Sequence, residues 1–173
     1  MFDPTIFDNL KVVFEGAVYD MDLGEAVQII DRIDAVELSS MSRSFGMTMK
    51  RHGGAAEGSF RLTATVADLS AELLSLPRKQ PGSSLELTFA FHIDQIERDC
   101  AYAAARIEEI WGTGLQMSQQ VTMVYGQQPL QMISKLILCF RDKLDERHIP
   151  DIPSLLEHML LSLERLDERV DGS

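Results

Sequence analysis

The stretch Leu85-Glu86-Leu87-Thr88-Phe89-Ala90-Phe91-His92-Ile93-Asp94 decides the fold. Five large apolar side chains alternate strictly with Glu86, Thr88, Ala90, His92 and Asp94. A period of two over ten residues is a strand with one buried face. The period changes immediately afterwards. Asp94 stands three residues before Glu97, the spacing of a capping box with aspartate in the serine or threonine role. Ile96, Cys100, Ala103, Ala104, Ile107, Ile110 and Trp111 then gather on an arc of roughly 120° at 3.6 residues per turn. Cys100 lies mid-arc, and Gly112 and Gly114 close the helix.

Working towards the C-terminus, Leu115, Met117, Val121, Met123 and Tyr125 read as a strand. A second covers 132–140, joined to the first through Gly126-Gln127-Gln128-Pro129. The later strand is apolar on both faces near Ile137, which places it inside its sheet. Pro153 opens a last helix, whose face collects Leu155, Leu156, Met159, Leu160, Leu163, Leu166 and Val170. Leu161 falls on the opposite, charged face and is the candidate contact for another subunit.

Working towards the N-terminus, residues 77–84 hold two prolines and a glycine and have no apolar period. They read as a linker, with lobes over 1–76 and 85–173 of a single α+β domain. Residues 68–76 carry a short helical pattern ended by Pro77. Before it, four alternating sets predict strands: Val12, Phe14 and Val18; residues 26–30; Phe45, Met47 and Met49; and Phe60, Leu62, Ala64 and Val66. The first two sets predict a hairpin around 20–24. The fold class is therefore α+β, a largely antiparallel sheet with helices on one face. The second half, βαββα, follows an incomplete ferredoxin-like order, an analogy that carries no function.

The 173 residues carry 27 acids against 16 bases, a formal charge of −11. That balance argues against nucleic acid and anionic membrane surfaces as partners. No apolar run is long enough to span a bilayer and no secretory leader is evident, so a cytoplasmic location is expected. Two cysteines, Cys100 and Cys139, do not make a disulfide framework and read as buried thiols. The charge is uneven along the chain. Residues 1–38 hold nine acids and two bases, and residues 142–171 nine acids and four bases, whereas six bases face three acids from Arg43 to Lys79. Arg43, Lys50, Arg51, His52 and Arg61 therefore form a candidate site for a small anionic ligand around the glycine-rich loop 51–58. The simpler alternative is that these cations pair with the acidic ends.

Chemistry-bearing patterns are scarce. The glycine-rich loop has neither the phosphate-loop nor the dinucleotide signature. No zinc-ligand spacing occurs, and the run Asp142, Asp145, Glu146, His148 and Asp151 reads as a solvated connector. No nucleophile elbow or S-x-x-K pattern is present. No catalytic residue, metal or cofactor is assigned. These features predict a noncatalytic binding or regulatory module that self-associates, with a small-molecule enzyme or sensor for an anion as the alternative.

Overall fold

The computed structural model describes residues 4–171, with side chains as far as Arg169. Val170 of the expected apolar helix face thus lies outside the described side chains. The first element departs from the expected strand, because Thr5–Leu23 is a helix, α1. Phe7, Leu10, Phe14 and Val18 recur at spacings of three and four and are all fully buried. Val12, placed by the two-residue alternation on the same face as Phe14, is 68% exposed. The helical period wins because it buries Phe7 and Leu10 and gives up only the smaller Val12. The hairpin around 20–24 is accordingly absent, and the apolar run at 26–30 opens a longer strand, β1 (Val27–Glu37).

Then follow β2 (Ser42–Arg51), β3 (Glu57–Ala64), α2 (Val66–Leu74), β4 (Ser84–Ile93), α3 (Ile96–Trp111), β5 (Gln116–Met123) and β6 (Met132–Cys139). A short 3-10 turn at Glu146–Asp151 leads into α4 (Ile152–Asp171). Thr65 and Asp68 cap α2 reciprocally. The cap of α3 differs from the expected Asp94–Glu97 box. Asp99, inside the first turn, folds back and accepts the backbone N–H groups of Asp94 and Gln95 at 2.8 and 3.0 Å.

All six strands form one antiparallel sheet in the order β1-β2-β3-β4-β6-β5. The fold is α+β, as the alternation from Leu85 onward predicts. β6 lies between β4 and β5, in keeping with its apolar character. The second half runs βαββα with β6 between β4 and β5, and β3 of the first half occupies the other side of β4. Residues 77–84 lead from α2 into β4, which pairs with β3, so the sheet runs unbroken through both halves.

One sheet face carries Phe45, Met47, Met49, Phe60, Leu62, Leu85, Leu87, Phe89, Leu136 and Leu138, all buried. α1, α3 and α4 cover it, with Leu156, Met159, Leu163 and Leu166 of α4 buried in the same core. No helix among the described residues is long and apolar enough to cross a membrane. Among the described residues, no helix lies over the opposite sheet face.

Candidate functional site

Strand parity sorts the predicted basic site between the two faces. Arg43 and Arg51 share the parity of Phe45, Met47 and Met49 and point to the helices. Lys50 and Arg61 belong to the open face, and His52 lies exposed in the turn after β2. Arg43 packs over the Phe7 ring and meets Asp34 at 3.3 Å and Asp8 at 3.7 Å. Arg51 meets Asp167 of α4 at 3.5 Å. Arg43 and Arg51 are eight positions apart on one extended strand, roughly 27 Å at the usual rise, so the five do not converge on one ligand.

The glycine-rich loop does hold a carboxylate, and it is the chain's own. Asp167 Oδ1 accepts the backbone N–H groups of Ala55 and Ala56 at 3.0 and 2.9 Å. Gly54 is required at this contact, because an added Cβ would overlap the Asp167 carboxylate. The loop amides are thus occupied from within.

What remains open is the uncovered sheet face. Pairing across the strands sets its side chains in rows. Asp31, Thr48, Ser59, Thr88, Ile137 and Ser118 follow one another across all six strands. One row along lie Ile33, Gly46, Arg61, Glu86 and Cys139. On the other side lie Lys50, Glu57, Ala90, Lys135 and Gln120. Small side chains therefore sit mid-sheet with long charged ones around them. The result is a hollow of about 360 Å³ floored by Gly46, Thr48, Ser59, Thr88 and Ala90. Gly46 permits it, since a Cβ there would approach the Phe60 carbonyl oxygen to 2.6 Å.

The hollow's polar groups are unspent. Among the described residues, no hydrogen bond engages the hydroxyls of Thr48, Ser59 or Thr88, and no ion pair engages Arg61, Lys135 or Glu57. Glu86 meets only the Cys139 thiol at 3.8 Å. Burial, followed by the charge of Glu86 and this contact, pushes that thiol's pKa up, which disfavours the reactive thiolate. Both cysteines are free and half-buried.

No family model, curated protein or solved structure matches the chain. Among the described residues, no three His, Cys, Asp or Glu side chains are grouped to hold a metal ion. The expected interface residue, Leu161, is 37% exposed on α4. Sequence reading finds Arg61 but misses Thr48, Ser59, Thr88, Lys135, Glu57 and Glu86. All but Lys135 occupy the polar parity of an alternating strand, a legible signal, whereas Lys135 shares its face with Ile133 and Ile137. That they share one hollow depends on strand order, which has no local signature.

Proposed function

We propose that the protein is a noncatalytic binding module whose open sheet face receives a small polar ligand of the amino-acid or short-peptide kind. One observation carries this reading: the hollow combines three unpartnered hydroxyls with charged groups of both signs. Its rim holds two bases, Arg61 and Lys135, and three acids, Asp31, Glu57 and Glu86. This balance disfavours a simple anion, which three carboxylates would repel. A ligand with its own ammonium and carboxylate groups finds complements for both, and the hydroxyls serve as donors or acceptors. The volume falls at the lower end of small-molecule sites, which run from about 300 to 1,000 Å³.

Thermal-shift and calorimetric titration against free amino acids and dipeptides, with phosphorylated metabolites for contrast, tests the proposal. A true ligand at 100 times its Kd stabilises the fold by about 2.7 kcal/mol. Thr88→Trp, which fills the floor, should abolish that gain while leaving the unliganded protein folded. Stabilisation by phosphates alone, or a gain that survives Thr88→Trp, would refute the proposal.

A further inference from the structure

β1 forms one edge of the sheet, is eleven residues long, and is exposed from Ile30 to Glu37. Such an edge presents a row of backbone donors and acceptors to any second strand, and proteins commonly blunt it with proline, inward charge or shortness. β1 contains no proline, its single irregularity lies between Ile29 and Asp31, and its inward charges, Arg32 and Asp34, are neutralised within the chain by Glu15, Lys11 and Arg43. Beyond that point the strand is regular through Glu37. Ile33 on the open face is 42% exposed and Val36 is 53% exposed.

We propose that two copies of this chain pair antiparallel along β1 about a two-fold axis at Ile33, making one continuous sheet. The register follows from charge. Side chains opposite each other in such a pair share a face, so the axis must pass through a residue. An axis at Asp31, Arg32, Asp34 or Glu37 would set that charged residue against itself. An axis at Ala35 would set Ile33 against Glu37, one at Val36 would set Asp34 against Leu38, and one at Ile30 would fall on the irregularity. An axis at Ile33 sets the two Ile33 side chains together on the open face. It places Arg32, which also meets Glu15 at 2.8 Å, against Asp34 of the second copy twice on the helix side. Asp34 also meets Arg43 at 3.3 Å, so the new pairs extend an existing charge network. Asp31 falls against Ala35 of the second copy. The sequence around β1 is thus self-complementary in charge and apolarity at one register, which selects a second copy over a chemically unrelated strand. Ile33 and Asp31 also line the hollow, so pairing joins the two hollows across the axis. The pairing does not depend on what the hollow binds.

Sedimentation velocity on the full chain should show a reversible dimer. Ile33→Lys sets two like charges on the axis and should weaken it at least about tenfold, with unchanged circular dichroism and melting because Ile33 lies outside the core. Leu161→Glu and Thr88→Trp should dimerise as the parent does. Register is read by disulfide trapping: chains carrying Asp31→Cys mixed with chains carrying Ala35→Cys should cross-link, and neither alone should. A strict monomer at roughly 100 μM would overturn the inference, since specific dimers of ordinary size assemble well below this. So would a dimer untouched by Ile33→Lys, or the absence of the 31–35 cross-link.

Discussion

Asp99 is 1% exposed, yet it is charged. Burial pushes its carboxyl pKa up, but hydrogen bonds from Arg98 and from the Gln95 and Asp94 amides, together with the Arg169 guanidinium, hold it well below the usual carboxylate range. Asp145 is lowered to about 2, chiefly by hydrogen bonds from the Arg147 side chain, working against burial. A carboxylate whose pKa falls on folding stabilises the native state above its unfolded pKa, near 3.9. That contribution is lost as pH drops through the folded value. Urea midpoints should therefore hold above about pH 4 and decline steadily towards pH 2. Asp99→Asn should cost about 2 kcal/mol at neutral pH, because it removes the charged partner of the half-buried Arg169, and should make the acid limb shallower. An acid limb of unchanged slope in the variant would show that Asp99 titrates normally. The basic candidate site was half legible at this scale. Arg43 and Arg51 sit at the parity of the apolar residues between them, which already separates them from Lys50. Their partners Asp34 and Asp167 are remote in sequence, and nothing local announces them.

At the scale of elements, α1 carries the main lesson. Val12, Phe14 and Val18 fit a two-residue alternation, whereas Phe7, Leu10, Phe14 and Val18 fit a helix, and short windows admit both. The two readings predict opposite mutational results. In the helix Phe14→Ala should cost about 3–5 kcal/mol, while Val12→Asp should change stability by less than about 0.5 kcal/mol. On a half-buried strand both would be severe. Chemical denaturation of the two variants decides between them. Elsewhere the elements were readable because their periods were long: ten residues for β4, sixteen for α3. The α3 cap was misassigned because Asp94 and Asp99 both stand near the helix start. Only the fold decides which of them turns back onto the exposed amides.

For the whole molecule, the proline-containing segment at 77–84 suggested a seam between lobes, yet β3 and β4 pair from Glu57–Ala90 to Thr63–Ser84. Unfolding either half would strip the other of its neighbouring strand, so the chain should melt as one unit. Far-UV circular dichroism and the fluorescence of Trp111, which packs edge-on to Phe140 and donates to Ser162, should trace superimposable urea transitions. Two separated transitions would restore the seam. The Asp167 contact also bears on the whole chain. Because the fold delivers that carboxylate to the Ala55 and Ala56 amides, it acts there at an effective concentration of at least about a millimolar. A free anion would have to outcompete a tethered one. Asp167→Ala would unmask the loop, leave Arg169 on Asp99, and turn an internal clasp into an acceptor for dissolved carboxylates or phosphates.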